Sequence, residues 1–329
     1  MVSTRDPLAT PHAAHWPSSP RAPEGAPNIV VILFDDVGFA DFGCYGSSIR
    51  TPAIDAIAAR GVRYSGFHTT AMCSTTRAAL MTGRNHHSVG MGCLANFDSG
   101  YPGYRGKIRR EAGTLAEMLR PHGYNSYMVG KWHVTPLGET GPAKPDAPFL
   151  LWLAYGACHA PHQAPQELIR HYDAEFAHGW DVERERRLAA MKQAGLVPPD
   201  TLMPPRNDFV QPWDSHGADE RRLFTRLQAA YAAMLDHADR HIARLMAFLD
   251  RAGLTDDTLV LVLSDNGASQ EGMMYGFVNA MGPYNQRPEP LEEKIARIDD
   301  IGAPDTHSNF PLGWAMAANT PLRRYKQNT

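Results

Sequence analysis

The stretch NIVVILFDDVG, Asn28–Gly38, decides the architecture of this 329-residue chain. After Asn28 come six apolar residues without a break, most of them β-branched. A strand covered on one face alternates apolar and polar residues. A continuous run is the pattern of a strand buried on both faces, as in a parallel sheet. This run stops at two adjacent carboxylates, Asp35 and Asp36. Near the other end of the chain TDDTLVLVLSDNG repeats the design, with a strand Leu259–Leu263 followed by Asp265, Asn266 and Gly267. Between them, YNSYMVGKWH gives a shorter strand ending in Lys131 and His133, and PFLLWLAYGACHAPH gives a strand running into His159.

Helical patterns separate these strands. TPAIDAIAARG places Thr51 as N-cap, Pro52 at the first helical position and Gly61 as the stop. GTLAEMLRPHG follows with Thr114 as cap, and a long amphipathic run, roughly Ala218 to Ala252, precedes the Leu259 strand. Alternating strands and helices predict an α/β fold, a mostly parallel mixed sheet flanked by helices. In such sheets ligands sit outside the carboxyl ends of the strands. All four polar clusters fall at those ends, so they converge on one edge.

Composition narrows the function classes. A formal charge of -3 and a pI near 6.6 give no electrostatic grip on nucleic acid or anionic lipid. Cys44, Cys73, Cys93 and Cys158 show no metal spacing and are too scattered for a disulfide framework, which predicts a reducing compartment. Residues 1–27, rich in Pro, Ala and Ser, read as a disordered tail without the apolar core of a secretory signal. Residues 28–329 read as one α/β domain, which the resemblance described below makes a catalytic domain, and an incomplete one. No apolar run reaches membrane-spanning length, and a cytoplasmic protein is expected.

The chemistry of the edge follows from its residue types. Asp35, Asp36, Asp265 and Asn266 offer only oxygen ligands. Carboxylates brought together repel and call for a cation, and oxygen-only ligation favours Ca²⁺ or Mg²⁺ over zinc. Each Asp taken singly is equally a helix cap or a turn residue; two acid-tipped apolar strands together are less easily read that way. Arg77, Lys131 and Lys326 add positive charge, so a phosphate or sulfate group fits beside the cation. His133 and His159 are available for proton transfer near neutral pH. His86, His87, His162 and His171 read equally well as surface or structural residues.

As a set, NIVVILFDDVGFADFGCYG, TPAIDAIAARGVRYSGFHTTAMCSTTRAALMTGR, GYNSYMVGKWH, GACHAPHQAP, LVLSDNG and NTPLRRYK resemble the sulfatase family of the alkaline phosphatase superfamily, bacterial arylsulfatases above all. The resemblance implies that Cys73, in Cys73-Ser74-Thr75-Thr76-Arg77 with Thr82-Gly83 beyond, is oxidised by a formylglycine-generating maturation enzyme. The hydrated aldehyde would then be the nucleophile against a small-molecule sulfate ester. It implies Ca²⁺ held by Asp35, Asp36, Asp265 and Asn266, with the modified Cys73 and the sulfate completing the shell. Arg77 would steady the formylglycine, Lys131 the nucleophile and the sulfate, and His133 would handle the hydrate's proton. His159 and Lys326 would contact the sulfate and protonate the leaving oxygen. A helix opened by the hydroxyl residues before RAALMTG would put Cys73 at its positive N-terminus.

The chain departs from the family pattern in three places. Thr75 stands where the signature has proline. The link VTPLGETGPAKPDAP is much shorter than the corresponding family segment, and the chain stops at RRYKQNT, where relatives continue into a smaller C-terminal subdomain. An exposed sheet edge and uncovered apolar surface are therefore expected. Two other readings accompany the leading one. One is a metal-dependent phosphoesterase using Ser74 or Thr75; the other is a truncated, catalytically impaired protein that keeps a metal and anion pocket. The charged runs DVERERRLAAMKQAG and EPLEEKIARIDDIG read as solvated amphipathic helices, EGMMYGFVNAMG as a loop, and Cys44, Cys93 and Cys158 as structural thiols.

Overall fold

All four apolar runs are strands: β1 (Asn28–Phe34), β2 (Asn125–Gly130), β3 (Phe149–Ala154) and β4 (Thr258–Ser264). The computed structural model describes residues 20–134 and 148–328. Most of the Pro/Ala-rich stretch and most of the short link therefore lie outside the described residues. The strands pair in the order β2-β3-β1-β4, every pair parallel. Six helices matter for the argument: α1 (Pro52–Arg60), α2 (Cys73–Thr82), α3 (Leu115–Leu119), α4 (Gln166–Tyr172), α5 (Gly179–Gln193) and α6 (Ala218–Arg251). Among the described residues no helix is long and apolar enough to cross a membrane.

The unbroken apolar run of β1 has a direct cause. Val30, Ile32 and Phe34 pack with Leu223, Phe224 and Leu227 of α6, while Val31 and Leu33 pack with Ala78 and Met81 of α2 on the opposite face. With helices on both faces, neither set of alternate positions can be polar. The edge strands differ. Leu259 and Leu261 of β4 are 51% and 42% exposed, and Val129 of β2 is 57% exposed. Both edge strands thus present apolar side chains to solvent.

Several local expectations are corrected. Thr51 occupies the N-cap position of α1 as expected, but its hydroxyl makes no capping bond; it donates to Asp55 Oδ1 (3.0 Å) and accepts from the Gly43 N–H (2.8 Å). Thr114 does form a capping box with Glu117. The α2 helix begins at Cys73 itself, with Met72 as N-cap, so Ser74, Thr75 and Thr76 lie inside its first turn. The α5 helix is not a solvated helix with its charges outward. Glu183 and Arg187 are buried, and Arg187 donates to Glu183 Oε1 (2.7 Å), Asp41 Oδ1 (2.6 Å) and the Ala40 carbonyl (3.1 Å). In the other charged run Lys294 is also buried, donating to the Gly276 carbonyl at 2.7 Å.

Candidate active site

Because the sheet is parallel and in register, its four carboxyl ends share one edge. Phe34 pairs with Ser264, Leu33 with Ala154, and Ala154 with Gly130. The residues that follow, Asp35, Asp265, Lys131 and the loop to His159, therefore leave the sheet side by side. Asp265 donates its N–H to the Phe34 carbonyl and Lys131 to the Ala154 carbonyl. Gly130 makes the last contact feasible. Its φ is +101°, and a Cβ there would lie 1.8 Å from the Ala154 oxygen.

Ligand atoms of Asp35, Cys73 and Asp265, all buried, lie within 4.8 Å of one another. Arg77, one turn into α2 from Cys73, joins them: its Nε donates to Asp265 Oδ2 (2.7 Å) and its Nη1 to the Lys131 carbonyl (2.5 Å). The Lys131 ammonium is paired with Asp35. His133 Nδ1 lies 3.2 Å from Cys73 Sγ. Asp36 faces the other half of the site. Its Oδ1 accepts from Asn266 Nδ2 (2.6 Å), its Oδ2 accepts from Lys326 Nζ (2.9 Å), and His159 Nε2 is 3.7 Å away. Lys326 arrives from the end of the chain, held by its own N–H on Ala268 and by Gln327 on Ala71. All ten residues expected at the edge are therefore together.

The structure adds Glu271, whose carboxylate lies 3.5 Å from Lys326 Nζ and 3.9 Å from His159 Nε2. Nothing in the residue pattern of ASQEGMM singles it out. Thr70 is a second addition. Its hydroxyl lies 2.5 Å from that of Thr75, which donates to the Met72 carbonyl at 2.8 Å. Ser74 Oγ accepts the Ala95 N–H. Of the hydroxyls offered as alternative nucleophiles, that of Thr75 is thus engaged with the α2 entry and that of Ser74 with the Ala95 backbone, not with the carboxylates.

Electrostatics at the edge follow from crowding in a dry place. Burial and the neighbouring Asp35 push the Asp265 carboxyl up to about 7, although Arg77 opposes them. Burial also raises Asp36. For Asp35 burial acts upward too, but Lys131, His159 and Arg77 outweigh it and the carboxyl stays below its usual range. Burial pushes the Cys73 thiol to about 11, so the unmodified thiol is a poor nucleophile. His133 is lowered to about 4 by burial and by Lys131, which keeps its imidazole neutral. Burial disfavours the Lys326 ammonium, yet Asp36 and Glu271 more than compensate and hold it charged.

Two features mark the edge as built for a ligand. Asp35 Oδ1, Asp265 Oδ1 and Asn266 Oδ1 are buried and have no hydrogen-bond partner among the described residues. Asp36 and His133, neither of them glycine, hold φ of 59° and 55°. Such conformations cost of order 1–3 kcal/mol and gather at functional sites.

The Sulfatase family model matches residues 27–145 and 141–328. An uncharacterized sulfatase of Schizosaccharomyces pombe is 29% identical over 377 residues, covering 91% of this chain and 67% of its own length. The arylsulfatase of Klebsiella aerogenes is 26% identical over 374 residues, covering 94% and 79%. Human arylsulfatase A is 30% identical over 281 residues, but the match takes in only 54% of its length. A solved structure in complex with k-i-k-neocarrahexaose superposes with a TM-score of 0.51 at 21% identity, over 74% of this chain and 59% of that one. At that identity the likeness supports the fold alone. With the family model matching nearly the whole chain, this chain belongs to the sulfatase family.

Proposed function

We propose that the chain is a sulfate ester hydrolase of the aryl sulfate type, working through a formylglycine made from Cys73 and a Ca²⁺ ion, or Mg²⁺, held by Asp35, Asp36, Asp265 and Asn266. The observation that carries this reading is the set of three buried oxygens, on Asp35, Asp265 and Asn266, that have no hydrogen-bond partner among the described residues. A buried carboxylate oxygen left unpaired is costly. A hard divalent cation satisfies all three, and the all-oxygen donors suit Ca²⁺ or Mg²⁺.

When bound, the cation supplies charge that draws the sulfate oxygens to the edge. The converted Cys73 supplies, as a hydrated aldehyde, one hydroxyl to attack sulfur and a second whose deprotonation releases sulfate. The chain's own residues do the rest. Arg77, tied to Asp265 and the Lys131 carbonyl, fixes the start of α2 and so the position of residue 73. His133 is neutral and 3.2 Å from the residue 73 side chain, placed to accept a proton from it. Lys131 and Lys326 face the sulfate oxygens from two sides. His159 and Lys326, grouped with Glu271, stand on the side from which the leaving oxygen is protonated.

Thr75 does not disturb the α2 entry, because its hydroxyl bonds back to Met72 and Thr70. Conversion by a maturation enzyme is tested by the mass of the tryptic peptide Tyr64–Arg77 after co-expression with a formylglycine-generating enzyme. The expected result is an aldehyde at Cys73, with aryl sulfate turnover abolished by Cys73→Ala. An intact thiol, or a converted and Ca²⁺-loaded protein without turnover, would favour the impaired, pocket-only reading.

A further inference from the structure

We propose that the cleft between α4 and α6 is a second anion site, taking a dianionic oxyanion of the phosphate or sulfate type, separate from the catalytic edge. The cleft is a cavity of about 370 Å³ into which Arg50, Arg240 and Arg244 project, together with His171, His237 and His241. Glu167 is the one carboxylate lining it among the described residues. In a chain of net charge -3, three guanidiniums around one hollow with a single carboxylate are a local excess of positive charge, and the three imidazoles add hydrogen-bonding nitrogens.

The way these groups are partnered leaves that charge available. Asp236, beneath the cleft, accepts from Arg240 Nε (2.7 Å) and from the Tyr172 hydroxyl (2.9 Å), so Arg240 is the arginine whose charge is matched. Arg244 Nη1 lies 3.2 Å from His241 Nδ1, a ring nitrogen and not a carboxylate. Neither Arg50 nor Arg244 forms an ion pair with a carboxylate among the described residues. His237 and His241 lie one helical turn apart with ring centroids 4.8 Å from each other. The guanidiniums of Arg50, Arg240 and Arg244 are like charges held together and repel. An arriving dianion removes that repulsion and accepts charge-assisted hydrogen bonds from them. Pro165 and Leu168 supply an apolar wall, and the volume falls in the range of small-molecule sites, so an ester-linked oxyanion fits as well as a free one.

The cleft is a built feature and stands apart from the sheet edge. The Arg50 N–H donates to the Tyr172 hydroxyl of α4 at 3.1 Å. Asp239 of α6 accepts the N–H groups of Ala53 and Ile54, both at 2.9 Å, so three elements hold its walls in place. Tyr231 of α6 marks the level of the catalytic edge, since its hydroxyl donates to the Asp36 carbonyl at 3.3 Å. His241 is ten residues further along, about 15 Å down the helix at 1.5 Å per residue.

Isothermal titration of the full chain with inorganic phosphate tests the assignment. Saturable binding is expected in the parent protein and at least a tenfold weaker Kd in Arg50→Gln/Arg244→Gln, with an unchanged circular dichroism spectrum. His237→Gln, a milder change, should weaken binding about threefold. Glucose 6-phosphate in place of phosphate tells an esterified from a free oxyanion by which binds tighter, and either satisfies the proposal. Phosphate binding that is absent, or that is unchanged in the double variant, overturns it. Because the catalytic edge is also read as an anion site, the loss of binding in Arg50→Gln/Arg244→Gln is what assigns phosphate to the cleft, and that loss does not depend on sulfate ester turnover.

Discussion

Replacing Arg187 by methionine should destabilise the protein more than any comparable change of a charged residue on α5. Arg187 is 1% exposed in side chain and bridges two carboxylates that are themselves almost fully buried, Glu183 at 2.7 Å and Asp41 at 2.6 Å. Methionine keeps much of the volume but removes the cation that bridges them, leaving Glu183 with only His178 at 2.8 Å. Breaking a buried ion pair from one side costs about 3–5 kcal/mol, chiefly because the remaining charge is left uncompensated. Two carboxylates are stranded here, so a loss of about 4 kcal/mol is expected, a large share of the roughly 5–15 kcal/mol that stabilises a folded protein. With a urea m-value of about 3 kcal/mol/M, the unfolding midpoint falls by about 1.3 M. The triple variant Asp41→Asn/Glu183→Gln/Arg187→Met, which removes all three charges, should recover at least half of that loss.

The pH dependence separates stranded charge from lost packing. In the parent protein burial pushes Glu183 up, but Arg187 and His178 more than offset this and hold its carboxyl down at about 2, against an ordinary 4.5. A depressed folded value means that its contribution is complete above about 4.5 and disappears only as pH falls from there towards 2. In Arg187→Met, Asp41 loses its cation and Glu183 keeps only His178, so the Glu183 carboxyl rises from its depressed value, and the variant gains stability as pH falls from 7 to 5. The gap between parent and variant should therefore narrow over that interval. A gap that stays constant with pH, a loss under about 1 kcal/mol, or a triple variant no better than the single one would refute the reasoning. The consequence extends to the catalytic edge. Asp41 Oδ2 also accepts from the Gly38 N–H (2.8 Å) and the Tyr231 hydroxyl (2.6 Å), so the Arg187 cluster anchors the turn that carries Asp35 and Asp36.

Gly130→Ala should lower the melting temperature and any turnover together, because a Cβ 1.8 Å from the Ala154 oxygen at a φ of +101° forces the chain bearing Lys131 away from β3; unchanged melting would show that the contact relaxes freely. Ca²⁺ at a hundred times its Kd should stabilise the protein by about 2.7 kcal/mol, and Asp265→Asn should abolish most of that gain in a melting assay; a parent protein indifferent to Ca²⁺ and Mg²⁺ contradicts the oxygen-donor site. Unconverted Cys73, 1% exposed and with its thiol pushed to about 11, should alkylate with iodoacetamide at pH 8 at least tenfold more slowly than the half-buried Cys93. Peptide masses measure both rates, and equal labelling would mean that the α2 entry opens in solution.

The residue pattern made the strands and the edge legible because both depend on short-range regularities. A strand covered by α6 on one face and α2 on the other must be apolar throughout, so β1 announced itself, and β4 ended in the same way. Once the sheet was parallel, the carboxyl-end rule gathered Asp35, Lys131, His159 and Asp265 without any knowledge of distance. Cys73 and Lys326 came to the edge by a different route, the family resemblance, since neither follows a strand. Glu271 was invisible for a related reason: it reaches Lys326 and His159 from a loop whose path is set by tertiary contacts.

The α5 helix was misread in a more instructive way. Trp180, Leu188 and Met191 are its buried apolar residues, and Glu183, Arg184 and Arg187 fall on the same stripe at helical spacing. A reading that sorts residues into apolar-inside and charged-outside discards those three and sees a solvated helix. The stripe itself was the clue. Charges on the apolar face of a helix must either leave it or find one another, and in this chain Arg187 finds Glu183 one turn away and Asp41 across the sequence. Asp41 lies six residues after Asp35, in the turn that the cation site needs. A helix that reads as surface decoration is therefore what holds the metal-binding carboxylates of the proposed site in position, and the Arg187 variants test that dependence through Ca²⁺-induced stabilisation as directly as through unfolding.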